Sequence, residues 1–284
     1  MAIASDKVIL AGVQIDNLNE STLIKRILND HVAGHGGWMV NPNVDVLRQI
    51  HANRELQSLI EQADLLIADG MPLIWASHIR NTPLCERVAG GQLIWTLSAA
   101  AADSEIPIFL LGGNVGVAER ARMALCARYP HLRVAGTHCP PLGFENDSDR
   151  IEEIILKIER TSPGVVFCGL GFPKQERLMA ALAQRFPEIW FVGSGASLTM
   201  AAGDVRRAPR WMQQAGLEWF YRLLQEPRRL FSRYIFHDVP FALRLIVWSA
   251  RDRQSGISKT SSSRNKFDSA ADASVSRLRE VDNA

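Results

Sequence analysis

An arginine-rich stretch near the C-terminus is well suited to bind phosphate. Residues 206–234 contain no lysine and two acidic residues, Glu218 and Glu226. Arginine is used where a planar fork must hold phosphate oxygens at two points, and aromatic side chains beside arginine also suit a membrane surface. The stretch therefore indicates a phosphate clamp, a basic helix that faces a membrane, or both. Its arginines are Arg206, Arg207, Arg210, Arg222, Arg228, Arg229 and Arg233.

Asp69 is a candidate general base. It follows the apolar residues 65–68 in the sequence LLIADGMP. A carboxylate at the end of such a strand faces a crevice, where burial raises its pKa toward the value that a base needs at neutral pH. The alternative is structural, because Asp before Gly commonly ends a strand in a turn or caps a helix. The residues alone leave both interpretations open.

Polar side chains at two other breaks in the pattern are candidates to contact a sugar or a phosphate. Asn41 and Asn43 follow a short apolar strand, so they either hydrogen-bond a ligand or shape a turn. Arg87 lies in a polar break between two helical patterns, where it either reaches a phosphate or pairs with an acidic neighbour such as Glu86. Local sequence does not decide between these roles.

Two glycine-rich segments follow predicted strands and open predicted helices. Residues 112–116 read GGNVG, which favours an anion at a helix start, but the full G-x-G-x-x-G and the acid that binds the ribose of NAD are missing. Residues 169–176 read GLGFPKQE, in which Lys174 and Gln175 supply donors and Gln175 suits a uracil or sugar edge. Each segment also fits a plain strand-to-helix turn. The pattern gives little support to a nicotinamide enzyme.

No metal site or cofactor is predicted. Asp147-Ser148-Asp149 has the D-x-D form that can hold a divalent cation, but it precedes a helical pattern, where Asp and Ser are ordinary caps. The seven histidines show no ligand spacing, and the four cysteines form no close pair. Because the N-terminus lacks the pattern of a secretory signal, the cysteines are expected to be reduced thiols in a cytoplasmic protein.

Short apolar runs alternate with helical patterns over the first 200 residues, and these elements must position the candidate residues. The alternation predicts an α/β fold, with a mostly parallel sheet flanked by helices and ligands bound where strands end. The predicted strands lie at residues 8–13, 38–40, 65–68, 106–111, 132–135, 164–168 and 189–192. Because Asn41, Asp69 and both glycine-rich segments follow strands, we expect them to line one crevice.

Composition divides the chain into three predicted parts. Residues 1–204 form the α/β catalytic core, and residues 205–253 form an all-helical, basic, membrane-proximal appendage. Residues 254–284 are rich in Ser and Asp and are predicted to be a disordered tail, since they cannot bury enough apolar area to fold. No apolar run is long enough to span a membrane, and Arg244 interrupts the nearest one at residues 239–250. The net charge of +2 argues against general nucleic-acid binding.

Four segments, taken in order, resemble the WecG/TagA/CpsF glycosyltransferase family. They are ADGMPLIWAS, ERVAGGQL, GLGFPKQE and AAGDVRRAPRWMQQAGLEWFYRLLQEPRRLFSRY, and the resemblance covers about residues 7–235. It implies an inverting enzyme that moves a sugar from a UDP-sugar onto a polyprenyl-diphosphate-linked saccharide. The sugar would be N-acetylmannosamine, its uronic acid or glucose. The enzyme would act at the inner face of the plasma membrane, in the synthesis of cell-surface polysaccharide.

The resemblance also implies roles for single residues. Asp69 falls on the family's proposed catalytic base, and Arg87 and Gln175 fall on residues implicated in holding the donor. Asn43 matches the motif asparagine of the family, whereas Asn41 stands where many members have threonine. The substrate-binding set ends with the C-terminal arginines that would close over the diphosphate, which are Arg222 and Arg229 with their neighbours Arg228 and Arg233.

The implied chemistry agrees with the residue types. In an inverting transfer, a base such as Asp69 takes the proton of the acceptor hydroxyl, and cations meet the charge on the departing diphosphate. Arginines are the natural cations where no metal is expected, and helices that dock on substrate would exclude water. Leu198 and Thr199 stand where the family often has Phe-Asp. This departure leaves the identity of the sugar donor open. The alternative functions are a nucleotide-dependent oxidoreductase and a catalytically silent membrane-associated binding module. The oligomeric state is left open, with a homo-oligomer among the candidate assemblies.

Overall fold

The computed structural model describes residues 6–253, which build a parallel sheet, a small hairpin and a series of helices. The predicted disordered tail at residues 254–284 lies outside the described residues. The strands of the described part are β1 Lys7–Leu10, β2 Val13–Asp16, β3 Gly37–Val40, β4 Leu65–Leu66, β5 Ile108–Gly112, β6 Val134–His138, β7 Val165–Gly169 and β8 Trp190–Gly193.

Strands β3 to β8 form one sheet in the order β4-β3-β8-β7-β5-β6, and every neighbouring pair is parallel. The predicted α/β fold is therefore confirmed. Side chains alternate between the two faces, so Val165 and Phe167 of β7 join one core, and Val166 and Cys168 join the other. Both faces are covered, which is why the central strands are apolar along their whole length.

Helices lie on both faces of the sheet and continue beyond it. Helices α1, α5, α6 and α9 contribute to one core, and α2, α4, α7 and α8 contribute to the other. The bounds are α1 Glu20–Val32, α2 Val44–Ala52, α3 Arg54–Ile60, α4 Met71–Ile79, α5 Gly90–Asp103, α6 Val117–Arg128, α7 Ser148–Thr161, α8 Lys174–Arg185, α9 Ser197–Ala201, α10 Arg210–Gln214, α11 Glu218–Gln225 and α12 Pro227–Ser232.

The N-terminal apolar run differs from its prediction. Residues 8–13 were expected to form one strand, but the chain turns at Ala11 and Gly12, which have φ values of 50° and 84°. Strands β1 and β2 therefore pair as an antiparallel hairpin. The buried carboxylate of Asp16 accepts a hydrogen bond of 2.9 Å from the N–H of Leu66, which ties the hairpin to β4.

Beyond β8 the described residues are helical, and the last of them form a long amphipathic helix. Helix α12 continues through a π-helical turn at Arg233–Asp238 into helical residues 239–253. One side of this helix is buried, with Phe241 and Leu245 in a core shared with α2 and α8. The other side exposes the apolar side chains of Phe231, Ile235, Phe236, Leu243 and Val247. No helix within residues 6–253 combines the length and the apolar character needed to cross a bilayer.

Candidate active site

The carboxyl ends of four adjacent strands form the candidate site. Strands β4, β3, β8 and β7 are neighbours in the sheet, so the loops that follow them meet at one edge. The N–H of Asp69, after β4, donates to the carbonyl of Pro42, after β3, at 3.0 Å. A side chain at position 90 would meet Ser197 Oγ at 3.0 Å and Asp69 Oδ2 at 3.5 Å. Glycine at this position therefore lets the α5 backbone approach the carboxylate closely.

Asp69 is half-buried and held by the start of a helix. Its Oδ2 accepts a hydrogen bond of 3.2 Å from the N–H of Gly90, the first residue of α5. Burial raises the pKa of Asp69 above its ordinary value, whereas the Gly90 N–H and the charges of Arg87 and Arg222 act to lower it. The charge of Glu218 acts in the same direction as burial. A carboxylate in this setting has a higher proton affinity than one in water, which suits a general base.

Two arginines and one glutamate lie beside Asp69. Arg87 Nη1 donates to Glu218 Oε2 at 3.0 Å, and Arg207 Nε lies 3.7 Å from Glu218 Oε1. The charge of Arg222 acts on Asp69, and Arg222 Nε is buried without a hydrogen-bond partner among the described residues. The chain thus brings Arg87 and Arg222, which are far apart in the sequence, to Asp69. Arg222 retains an unused donor.

Glu218 was not among the predicted site residues. In the sequence it is one of two acids in an arginine-rich stretch, and an ion pair across 131 residues leaves no local pattern. One signal was available. Glu218 and Arg222 are separated by four residues, so in a helix both lie on the same face.

The two predicted asparagines have different surroundings. Asn43 Oδ1 accepts a hydrogen bond of 3.1 Å from the N–H of Val46 and caps α2, which is the structural alternative for that residue. Both polar atoms of the Asn41 side chain are buried and have no hydrogen-bond partner in the described part of the chain. An unsatisfied buried amide is costly. Asn41 is therefore the asparagine whose polar atoms still lack a partner among the described residues.

Gln175 is buried and its amide is already engaged. Its Oε1 accepts from the N–H of Leu170 at 3.3 Å, and its Nε2 donates to Glu176 Oε1 at 2.7 Å. Burial raises the pKa of Glu176 to about 7, and the hydrogen bond from Gln175 opposes that rise. Within residues 169–176, Gln175 thus shapes the loop after β7, and it has one remaining amide hydrogen to offer a ligand.

The remaining C-terminal arginines have other partners. Arg233 lies 3.6 Å from Asp45 and 3.5 Å from Asp238, so it links the long helix to α2. Arg229 pairs with Glu226 on the protein surface, and Arg228 is exposed. Of the four predicted diphosphate arginines, Arg222 is the one whose charge acts on Asp69.

The D-x-D segment is part of a helix cap. Asp147 Oδ1 accepts hydrogen bonds from the N–H groups of Asp149 and Arg150 at 3.0 and 3.3 Å and caps α7, as the sequence indicated. Among residues 6–253, no cluster of three or more His, Cys, Asp or Glu side chains is arranged to hold a metal ion.

The remaining sequence features have structural surroundings. The N–H of Gly113 donates to the carbonyl of Gly169 at 3.0 Å, so the glycine-rich turn after β5 is packed against the loop after β7. Leu198, at one of the two departures from the family pattern, is fully buried in α9, and Thr199 beside it is half-buried. Position 198 of this chain is therefore occupied by a core residue.

Comparison with known proteins gives consistent matches. Residues 8–255 match the model of the glycosyl transferase WecG/TagA/CpsF family. Similar proteins include three named N-acetylglucosaminyldiphosphoundecaprenol N-acetyl-beta-D-mannosaminyltransferase, from Staphylococcus aureus strains MW2, MRSA252 and NCTC 8325. Each is 30% identical over 226 residues, which cover 79% of this chain and 87% of the relative.

Proposed function

Because the chain belongs to the glycosyl transferase WecG/TagA/CpsF family and is a glycosyltransferase, we propose that it transfers a sugar from a UDP-sugar to a polyprenyl-diphosphate-linked saccharide. The transfer inverts the anomeric centre. The names of the relatives support N-acetylmannosamine as the sugar to test first and an N-acetylglucosaminyl diphosphate lipid as the acceptor. The product would serve the synthesis of a cell-surface polysaccharide.

Asp69 is the base in this proposal. Its carboxylate takes the proton of the acceptor hydroxyl, the hydroxyl oxygen forms a bond to the anomeric carbon, and the bond from that carbon to the UDP oxygen breaks. The observation that carries the proposal is a half-buried carboxylate, with a raised pKa, at the carboxyl end of β4 and within reach of the charges of Arg87 and Arg222. A carboxylate with a raised pKa accepts a proton more readily than a solvated aspartate.

Arginine side chains stabilise the departing diphosphate in this proposal. Negative charge grows on UDP as it leaves, and fixed cations in a site shielded from water meet that charge at little reorganisation cost. Arg222 supports this role because its buried Nε has no partner within residues 6–253. The side chain of Asn41, whose buried polar atoms also lack a partner among the described residues, supports a polar contact between Asn41 and the substrate. Arg87 can also contact the diphosphate, since its guanidinium has further N–H donors besides the one that binds Glu218. We retain the proposal that Arg228, Arg229 and Arg233 lie near the diphosphate.

The exposed apolar side of the long C-terminal helix is proposed to rest on the membrane that carries the lipid acceptor. Residues 205–253 hold ten arginines and four acidic residues. Each basic residue near an anionic membrane surface strengthens binding to that membrane by about 1 kcal/mol. Phe236 and Leu243 are exposed at 64% and 61%, so they are available to insert into lipid.

Vesicle sedimentation tests the membrane proposal. The double substitution Phe236→Ser and Leu243→Ser should lower binding to vesicles that contain anionic phospholipid. Met123→Ser is the matched control, since Met123 is exposed at 61% on α6, outside the C-terminal helices. Equal binding by wild type and the double variant would count against this surface.

A panel of UDP-sugars tests the transfer itself. Each sugar is incubated with the chain and an N-acetylglucosaminyl-diphosphate polyprenol, and UDP release is measured with and without the acceptor. We expect one UDP-sugar to give acceptor-dependent release and a β-linked product. Absence of release with every sugar, or release that ignores the acceptor, would contradict the proposal.

A further inference from the structure

Glu218 lies at the centre of an ion-pair cluster and has no role in the reaction proposed above. It is the only acidic residue between residues 205 and 225. Its carboxylate bridges Arg87, in the loop between α4 and α5, and Arg207, in the segment before α10. The side chains of Arg87 and Glu218 are each only 15% exposed, so solvent screens this pair less than a surface pair.

Helix α11 is held by polar links and by an edge contact between the rings of Trp219 and Tyr234. None of its residues is fully buried, although the helix is amphipathic. A second polar link, from Gln225 to the backbone of Arg206 at 3.1 and 2.9 Å, stays within the C-terminal segment. The Glu218–Arg87 pair, in contrast, reaches the part of the chain that also supplies Asp69.

The same face of α11 presents Arg222 to the crevice. Glu218 and Arg222 are one helical turn apart, so a contact that fixes the first also fixes the direction of the second. Both charges act on Asp69, and Arg222 Nε is buried and unpaired in the described part of the chain. Without the Glu218 carboxylate, the guanidinium groups of Arg87, Arg207 and Arg222 would repel one another at the site until an anionic substrate bound.

We propose that Glu218 is a positioning residue, whose pairing with Arg87 and Arg207 docks α11 so that Arg222 faces the diphosphate beside Asp69. The inference rests on the transfer reaction proposed above. Glu218 itself contacts no reacting atom in it. The carboxylate holds the helix and balances the arginine charge while the site is empty, and it stays paired when the diphosphate binds Arg222.

The test compares Glu218→Gln with Glu218→Asp, which keeps the charge. Asp204→Asn is the matched control, because it removes a carboxylate from an exposed arginine pair, Arg120–Asp204, outside the proposed site. The measurements are kcat and KM with the lipid acceptor, UDP affinity, and hydrogen exchange of the amides at residues 218–225 in the absence of substrate.

Glu218→Gln should lower kcat by roughly tenfold to a hundredfold, since small misplacements of a catalytic cation have effects of that size. It should also speed exchange in α11, and Glu218→Asp should restore most of both. Unchanged kcat and exchange in Glu218→Gln would overturn the proposal. Tighter UDP binding in that variant would overturn it too, because the carboxylate would then be a competitor of the diphosphate.

Hydrogen exchange separates this inference from the proposed function. If wild type turns over no UDP-sugar, the transfer reaction is wrong, and faster exchange in Glu218→Gln alone would establish docking without catalysis. If wild type is active and Glu218→Gln equals it in rate and exchange, the transfer reaction stands and the role of Glu218 does not.

Discussion

The pKa of Asp69 reflects opposing effects of its neighbours. Burial disfavours the charged form, whereas the Gly90 N–H, Arg87 and Arg222 favour it, and burial is the largest of these. A carboxylate whose pKa is raised in the folded chain favours the protonated state there more than it does in the unfolded chain. Its contribution to stability is present below the unfolded pKa and is lost as the pH rises through the folded pKa. Above its folded pKa, the charged side chain therefore lowers the stability of the fold.

Asp69→Asn should abolish turnover and raise the melting temperature at neutral pH. The amide cannot take the proton of the acceptor hydroxyl, but it removes the buried charge and can still accept from Gly90. UDP affinity should change little. Thermal unfolding with and without UDP, together with the transfer assay, measures all three effects. Asp103→Asn, at the exposed end of α5, is the control and should match wild type. Full turnover by Asp69→Asn would remove Asp69 from the mechanism.

Sequence patterns found the polar ends of strands but not the partners of each side chain. Asp69 was a strand-end candidate, and its proximity to Arg222 depends on how α11 packs. Asn41 and Asn43 had identical alternatives, and only the packing around each separates the unpartnered Asn41 from the capping Asn43. Glu218 was not predicted as a site residue because its partner Arg87 lies 131 residues away in the sequence.

At the level of elements, the alternation of strands and helices was predicted correctly and some boundaries were not. The turn at Ala11 and Gly12 lies inside a continuous apolar run, so periodicity alone did not reveal the hairpin. Strand β6 begins at Val134 and runs to His138, later than the expected residues 132–135. It is an edge strand with half-buried side chains, and its apolar signal is weak for that reason. The predicted boundary at residues 204 and 205 stays a prediction.

An acidic and basic cluster joins the long C-terminal helix to α2. Arg48 and Asp45 of α2 face Arg233 and Asp238 of the π-helical turn. Burial and the charge of Asp45 raise the pKa of Asp238 to about 6, although Arg233 and Arg48 act to lower it. The protonated form of Asp238 therefore stabilises the folded chain at low pH, and this contribution is lost as the pH rises through about 6.

Asp238→Asn should stabilise the chain at pH 8 by on the order of 2 kcal/mol and have little effect at pH 4. The amide imitates the protonated side chain. The difference in the free energy of unfolding between the variant and wild type therefore grows as the pH rises from the unfolded to the folded pKa of Asp238. Urea unfolding at both pH values measures it. Asp252→Asn removes an exposed carboxylate from the same helical region and should change stability at neither pH. A loss of stability in Asp238→Asn at pH 8 would show that the ion pairs outweigh burial.

At the scale of the whole molecule, positive charge is concentrated in the C-terminal segment. The net charge is only +2, yet the C-terminal segment is strongly basic and supplies Arg222 to the crevice. The same segment carries the exposed apolar side chains proposed to rest on the membrane. A single helical region thus links the proposed lipid surface to the proposed diphosphate site.

EDTA should leave the rate of transfer unchanged. In the proposed site, arginines carry the positive charge that a divalent cation carries in other sugar-nucleotide enzymes. The rate is measured with the active UDP-sugar before and after EDTA and again after magnesium or manganese is added. Strong inhibition that either metal reverses would point to a cation site. Asp147 and Asp149 would be the first residues to substitute.

The structure of the full chain crystallised with UDP is the most direct test of the central claim, which is that Asp69 and the arginines converge on one sugar diphosphate. We predict that the diphosphate lies within hydrogen-bond distance of Arg222, with Glu218 still paired to Arg87 and the Asp69 carboxylate open to an acceptor. UDP bound at the turn of residues 112–116, with Arg222 distant from its phosphates, would contradict the account.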